Sequence, residues 1–274
     1  ETFPPETLSN LLTLYTSHGQ DDLFVETFER NKHLAKELLP PDVFAYFDAV
    51  MMSLTCPDSA HSVLEAQLAQ FVPKLRLVKK DVSDATKSAA SVRPATSHSL
   101  SSARPTTAAE RKGQRAVAVA TKGYEAILDR YIPMLMLQAK LYWDKKEYSR
   151  AEQLLRRSAD FCRDNDAFAL NLGHILFAQQ DNKFESSIEQ YELLLKNHAE
   201  SDLLKVPAVA LANLCVAYIM TNQNDAAEEL IRSVEREEKQ NVALGGERTN
   251  HSCIINLVIG TLYCSTGNYE VSGR

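Results

Sequence analysis

One stretch decides the fold of this chain: Asn213-Leu214-Cys215-Val216-Ala217-Tyr218, followed nine residues later by Ala227. Cys215 and Tyr218 lie about one turn apart on a helix. The small residue makes room where a second helix crosses, and the aromatic ring fills the gap beside it. Ala227 is the small residue on the second helix that lets the two backbones approach. The spacing therefore predicts a helix-turn-helix unit.

The pattern recurs along the chain. The small second-helix positions Ala151, Ser187, Ala227 and Ser272 follow one another at intervals of roughly 36 to 45 residues, close to the period of about 34 residues of the tetratricopeptide repeat. The excess goes into loops, and Asn10-Leu11-Leu12-Thr13-Leu14-Tyr15 adds a further copy near the start. We predict an all-α tetratricopeptide-repeat α-solenoid, a right-handed superhelix of helix-turn-helix units. Its repeat-packing residues are Tyr142, Ala151, Gly173, Tyr218, Ala227, Gly260 and Tyr263.

Three segments are predicted. Residues 1–82 form repeat-like helices, with prolines at helix starts and a long amphipathic helix at 58–82. Residues 83–115 are rich in Ser, Thr, Ala and Arg, and such a composition buries too little surface to repay its ordering entropy, so we expect a disordered insertion. The alternative is an electrostatic arm for microtubules or membrane. Residues 116–274 carry repeats near 132–165, 166–200, 208–241 and, truncated, 253–274.

Bulk properties narrow the function. The net charge of −6 argues against a nucleic-acid partner, and five cysteines without CxxC spacing indicate thiols in a reducing compartment. The most apolar run, 253–264, is too short to span a bilayer, so no membrane insertion is expected. Neither end carries a polar capping repeat, which favours an internal piece of a longer superhelix or one half of a split gene product.

Catalytic motifs are missing. The sequence has no Gly-rich phosphate loop, GxSxG elbow, HExxH or Cys-rich metal spacing, so we expect neither enzyme activity nor a cofactor. His174 is expected to be packed or solvated rather than a metal ligand, and His251 to begin a helix. The acidic run from Glu235 to Glu238 is expected to be a solvated helix end.

Tetratricopeptide superhelices bind ligands on a concave face formed by the first helix of each repeat. We call the residues predicted to line it the inner-face set: Met136, Lys140, Trp143, Leu170, His174, Phe177, Ala212, Val216, Ile219, Met220, Leu257 and Thr261. The set is mainly apolar, and Lys140 is its one Lys or Arg, which counts against a site for a peptide carboxylate. Three asparagines, Asn10, Asn171 and Asn213, are placed to hydrogen-bond an extended backbone.

Two interpretations of this apolar face stay open. Some of its residues could pack against neighbouring turns of a tight superhelix. Otherwise an extended apolar or proline-rich partner segment fills the face, since an exposed apolar surface of this length favours aggregation.

Several strings go beyond the generic repeat. Ile219-Met220-Thr221 and Asn256-Leu257-Val258 are not repeat consensus; they stand beside Phe3-Pro4-Pro5 and Tyr131-Ile132-Pro133-Met134-Leu135-Met136. With these strings the chain resembles the C-terminal portion of the intraflagellar transport protein 70 family, also called tetratricopeptide repeat protein 30 or fleer. Residues 83–115 depart from the family, which has a shorter charged helical stretch there. That departure favours a divergent, protist-like version.

The resemblance implies a non-catalytic scaffold subunit of the core intraflagellar transport B complex, located in the cilium or flagellum and in the cytoplasm near the basal body. It implies a partner, an extended proline-rich segment of another core subunit, held in the apolar groove. It also implies links to kinesin-2 motors and to tubulin-modifying machinery. The alternatives are a generic adaptor that binds a peptide terminus, as co-chaperones do, and a regulatory subunit for tubulin modification.

Overall fold

A computed structural model of the chain describes residues 4–91, 108–198 and 203–265. These ranges contain eleven α-helices and two short 3-10 helices and no β-strand, so the predicted all-α helical-repeat class is confirmed. None of the helices in these ranges combines the length and the apolar character that a membrane span requires. The helices are α1 (Pro5–Ser17), α2 (Asp21–Leu38), α3 (Pro41–Thr55), α4 (Pro57–Ser91), α5 (Ala108–Asp144), α6 (Tyr148–Cys162), α7 (Asp166–Gln179), α8 (Phe184–His198), α9 (Ala208–Met220), α10 (Asn224–Ala243) and α11 (His251–Ser265).

The chain divides into two compact units, Glu1–Leu141 and Tyr142–Arg274. In the first unit, α1, α2 and α3 pack in sequence around a core of aromatic rings. Phe24 and Phe28 stack with ring centroids 5.7 Å apart, and Phe47 tilts against Phe24 at 6.1 Å. The prolines at the starts of α1 and α3 take the first helical turn, where an N–H is not needed.

Three helix-to-helix turns share one backbone geometry. In each, an N–H group five residues after a tyrosine donates to the C=O of that tyrosine: Gln20 to Tyr15 (2.9 Å), Glu147 to Tyr142 (2.9 Å) and Gln223 to Tyr218 (2.8 Å). The residue before each donor has a left-handed φ: Gly19 (63°), Lys146 (59°) and Asn222 (61°). This is the Schellman ending of a helix, which satisfies carbonyl groups of the last turn. The shared turn marks the α1–α2, α5–α6 and α9–α10 connections as copies of one unit.

Helix α9 forms the centre of the second unit. It contacts α7, α8, α10 and α11, and its residues from Ala210 to Ala212 and from Leu214 to Tyr218 are buried. A helix that is apolar on every side is a buried helix. The sequence Ala-Val-Ala-Leu-Ala-Asn-Leu-Cys-Val-Ala-Tyr-Ile-Met fits that description, with Asn213 as its only amide side chain.

The structure differs from the predicted disordered insertion at both of its ends. Helix α4 continues to Ser91 and α5 begins at Ala108, so helix extends well into 83–115, while 92–107 lie outside the described residues. Alanine is the strongest helix former, and Ala85, Ala89 and Ala90 support this extension. The first helix of the repeat predicted near 132–165 is thus the C-terminal part of the much longer α5.

Candidate functional site

The structure places the inner-face set in both units. Met136 and Lys140 belong to the first unit, half-buried and exposed respectively, and the remaining members belong to the second. Leu170, His174, Phe177 and Ile219 are half-buried there. Thr261 is exposed, and its hydroxyl donates to the C=O of Leu257 within its own helix at 2.8 Å.

Two members of the inner-face set are already covered by the chain itself. Ala212 is fully buried, and Val216 keeps 7% of its surface exposed. Both lie on α9, which other helices surround. A partner segment that docks on this unit as it stands does not reach either side chain. In the folded chain these two side chains pack against neighbouring helices, as the first of the two interpretations expects.

Large apolar side chains do reach the surface on two adjoining helices. On α9, Val209 is 54% exposed and Met220 is 48% exposed; on α11, Leu257 is 69% exposed. Trp143, at the end of α5, is 38% exposed and stands edge-on to Tyr148, with ring centroids 5.0 Å apart. These four side chains offer apolar contacts of the kind that an extended peptide can cover.

A polar cluster links three helices of the second unit. His174 on α7 lies with Nδ1 2.7 Å from the hydroxyl of Tyr191 on α8. The side-chain amide of Asn213 on α9 donates to the same hydroxyl at 3.3 Å and to His174 Nδ1 at 3.2 Å. His174 and Asn213 were predicted to face a ligand, whereas here their polar atoms are directed toward each other and toward Tyr191.

The protonation of this cluster follows from its donors. Since Asn213 Nδ2 can only donate, we assign His174 Nδ1 as the acceptor, which places the ring hydrogen on Nε2. Burial lowers the pKa of His174, so the neutral ring is favoured. Burial also raises the pKa of Tyr191, which keeps its hydroxyl protonated. The cluster is therefore a neutral hydrogen-bonded joint between three helices.

Gly173 explains how the tyrosine of this cluster fits. A Cβ atom at Gly173 would lie 2.8 Å from Cε1 of Tyr191, closer than a carbon–carbon contact allows. Tyr191 is fully buried, so its ring has little room to move away. The sequence pattern singled out Gly173 as a packing residue but missed Tyr191, the ring that requires it. The signal was available in principle, because a glycine within an apolar helix calls for a close neighbour.

The other repeat-packing residues fall into two groups. Ala151 and Ala227 are buried, and Tyr218 is buried with its hydroxyl donating to the carboxylate of Glu192 at 2.9 Å. Tyr142, Gly260 and Tyr263 are half-buried. A Cβ at Gly260 would meet no atom of the described residues within 4 Å; the helix predicted to cross it falls in 266–274, outside those residues.

The remaining predicted asparagines lie on first helices. Asn171 donates from Nδ2 to the C=O of Ala167, one turn earlier in α7, at 2.7 Å. Asn10 is exposed on α1. Their proposed contacts with a partner backbone stay predictions.

Glu152 on α6 accepts from three donors, two of which belong to the following repeat. Its carboxylate accepts from Arg156 at 2.7 Å, from Gln179 at 2.9 Å and from Lys183 at 3.1 Å. Burial alone would raise the pKa of Glu152, but these donors together lower it. No sequence motif pointed to this carboxylate, since its partners in the following repeat, Gln179 and Lys183, are 27 and 31 residues away along the chain.

The expectation for the acidic run at 235–238 was wrong for its last two members. Glu238 accepts from the hydroxyl of Thr249 at 2.7 Å and from the N–H of His251 at 2.8 Å, at the first residue of α11. Glu237 accepts from the N–H of Leu203 at 2.9 Å. The free N–H groups at a helix start attract a carboxylate. Burial would raise the pKa of Glu238, but the hydrogen bonds lower it.

Among the residues that the structure describes, no three His, Cys, Asp or Glu side chains are grouped in a way that could hold a metal ion. The candidate site consists of the exposed apolar side chains of α5, α9 and α11, and their contact with another chain stays a prediction.

Comparison with known proteins agrees with the family resemblance found in the sequence. The sequence model described as "Intraflagellar transport protein 70 C-terminal domain" matches residues 7–101 and 91–273. Intraflagellar transport protein 70A of Bos taurus is 39% identical over 269 residues, which cover 98% of this chain and 37% of that protein. The Homo sapiens protein of the same name is 38% identical over 269 residues, with the same coverage. The Danio rerio protein is 37% identical, over 98% of this chain and 38% of its own length. This chain thus spans a little over a third of the length of these relatives.

Proposed function

This chain belongs to the intraflagellar transport protein 70 family, and from that premise we propose that it is a non-catalytic scaffold subunit of the intraflagellar transport B core complex. The observation that carries the proposal is the similarity to proteins named intraflagellar transport protein 70A, which extends over 98% of the chain. The proposed location is the cilium or flagellum, with a cytoplasmic pool near the basal body.

We further propose that the partner is an extended, proline-rich segment of another core subunit. Such a segment is preformed and loses little conformational entropy when it binds. Its apolar rings would cover Met220 and Leu257, which the chain leaves exposed. Kinesin-2 motors and tubulin-modifying machinery are proposed as more distant partners, with no residue of this chain assigned to them.

Co-purification tests this proposal. The chain is co-expressed with the proline-rich core subunit from the same genome, and the complex is washed at about 1 M NaCl, where exposed charge pairs are screened over about 3 Å. A complex that survives the wash supports apolar capture. If neither this chain nor the full-length parent retains the subunit, the proposed partner is wrong. Retention by the parent alone would assign part of the binding surface to the rest of the parent.

The matched variants are Met220→Glu and Leu257→Glu on the candidate surface, with Leu244→Glu as the control. Leu244 is an exposed apolar residue at the end of α10 and does not belong to the inner-face set. The first two variants are expected to lose the partner, and the control to retain it. Equal loss in all three would show that added negative charge, rather than the surface, disrupts the complex.

An adaptor that binds a peptide terminus gives the opposite salt dependence. Such sites hold the terminal carboxylate with Lys and Arg side chains. A complex that dissociates at high salt and requires Lys140 would favour that adaptor function over scaffold capture.

A further inference from the structure

Helices α4 and α5 pair in an antiparallel hairpin. The rings of Phe71 and Tyr131 lie with centroids 6.1 Å apart. At the other end, a Cβ at Gly113 would lie 3.2 Å from Cβ of Ala89. Early α4 thus contacts late α5, and late α4 contacts early α5. We call residues 74–91 of α4 and 108–122 of α5 the basic arm.

The two helices of the basic arm bury little beyond the seam between them. The half-buried residues of α4 recur at alternating spacings of three and four, as in a coiled coil: Val78, Val82, Ala85 and Ala89. The corresponding series on α5 is Gly113, Val117, Ala120 and Tyr124. Beyond Leu75, no described residue of the arm is fully buried. Most outward-facing side chains of the arm are therefore in solvent.

The charge of the basic arm is opposite to that of the whole chain. Its described residues carry nine Lys and Arg against three Asp and Glu, whereas the chain as a whole carries 30 against 36. Helical packing of the seam does not require this bias, since none of the nine cationic residues belongs to the seam. All nine cationic side chains are exposed.

The cations form one stripe on each helix, with the same spacing. On α4 the stripe is Arg76, Lys80 and Lys87; on α5 it is Arg111, Arg115 and Lys122. Intervals of four and seven residues keep side chains on one face of a helix. In heptad terms both stripes lie opposite the seam, so they point away from each other on the two outer sides of the hairpin.

This arrangement discriminates between anionic partners. A flat membrane would meet one stripe and leave the other in water, and an interfacial helix needs a broad apolar face, which the arm lacks. Single-stranded nucleic acid binds through aromatic stacking platforms, and the basic arm contains no aromatic residue. A flexible acidic polypeptide can follow both sides of the hairpin.

We propose that the basic arm is a docking surface for an acidic, unstructured polypeptide segment, held by the stripes on α4 and α5. This inference does not depend on the proposed scaffold function, because the arm and the inner-face set use different residues. Contacts of this kind steer association and weaken with salt.

The probe is a fluorescein-labelled poly-L-glutamate peptide, titrated with the full chain and followed by fluorescence anisotropy. The variants are Arg76→Gln with Lys80→Gln and Lys87→Gln, and separately Arg115→Gln with Lys122→Gln. Glutamine keeps helix propensity close to that of Lys and Arg. The control removes three exposed cations elsewhere, Lys36, Arg157 and Lys196, by the same change. Circular dichroism verifies that every variant is folded.

The wild-type chain is expected to bind the peptide at low salt and release it at about 1 M NaCl. Exposed pairs of ordinary strength imply that the α4 variant loses about tenfold in affinity. The α5 variant should also weaken binding, and the control should not. The proposal is overturned if poly-L-glutamate does not bind, if the control loses as much as the α4 variant, or if phosphatidylserine vesicles or duplex DNA bind at lower concentration than the peptide.

Discussion

Replacing Gly173 by Ala is expected to have two opposing effects on the free energy of unfolding. Gly173 lies in the middle of α7, where alanine gains about 1 kcal/mol of helix propensity over glycine. Against this, the new Cβ would lie 2.8 Å from Cε1 of Tyr191 and 3.1 Å from Cδ1 and Cζ. The ring is fully buried, and its hydroxyl is bonded to His174 and Asn213, so a rotation that relieves the clash breaks those hydrogen bonds.

The clash is expected to dominate. Overpacking of a rigid core costs about 1–3 kcal/mol, and each lost neutral hydrogen bond adds about 1 kcal/mol. After the gain in propensity, we expect Gly173→Ala to lower the free energy of unfolding by about 1–2 kcal/mol. Urea denaturation followed by circular dichroism measures this difference directly.

Two comparisons separate the clash from a general effect of alanine. Gly123 lies inside α5, and a Cβ there would meet no described atom within 4 Å. Gly123→Ala is therefore expected to stabilise the chain by up to about 1 kcal/mol. In a double-mutant cycle, Tyr191→Leu should remove most of the penalty of Gly173→Ala, because the flat ring is gone. If Gly173→Ala alone is as stable as the wild type, the close packing of α7 on α8 described here is refuted.

Three further predictions concern other parts of the structure. Lys146 has a left-handed φ of 59°, so Lys146→Gly is expected to raise the free energy of unfolding by about 0.5–1 kcal/mol, measured by urea denaturation; a loss of stability would contradict the turn geometry. Because the pKa of Glu238 is lowered, the ionised carboxylate contributes to the free energy of unfolding. This contribution is complete above the unfolded-state pKa of about 4.3 and is lost as the pH falls through the folded-state pKa. Glu238→Gln should lower the free energy of unfolding by about 1 kcal/mol at pH 7 and flatten its pH dependence on the acid side. An unchanged pH dependence would show that the carboxylate does not interact with the start of α11. Trp143→Ala and Met220→Glu are expected to weaken partner capture in the pull-down without a change in the circular dichroism spectrum; normal capture by either variant means that the inner-face set was misassigned.

Local pattern was sufficient for the helices and their turns. The Tyr218-to-Ala227 spacing predicted the α9–α10 unit, and the structure repeats its turn after Tyr15 and Tyr142. These features depend on residues within about ten positions of one another, so the sequence contains them directly. The family resemblance was likewise carried by short strings, and the comparisons agree with it.

Local pattern failed where burial depends on a distant element. Ala212 and Val216 have the spacing of a ligand-facing surface, yet α9 is enclosed by its neighbours and both side chains are buried. The ends of 83–115 have a composition typical of disorder, yet α4 and α5 give each other a seam, and Val82 and Val117 are half-buried there. Composition measures what a segment can bury alone and not what a partner helix supplies.

The sequence by itself determined the all-α class, the repeat unit and the positions of the tight turns, because each follows from apolar spacing and small residues within one helical hairpin. The tertiary structure alone decided which polar groups are joined across repeats. His174, Tyr191 and Asn213 are separated by 17 and 22 residues in the chain, and Glu238 lies 13 residues before the N–H group of His251 that it accepts from. A hydrogen bond requires atoms to approach within about 3 Å, and only the packing of one helix on the next sets such a distance.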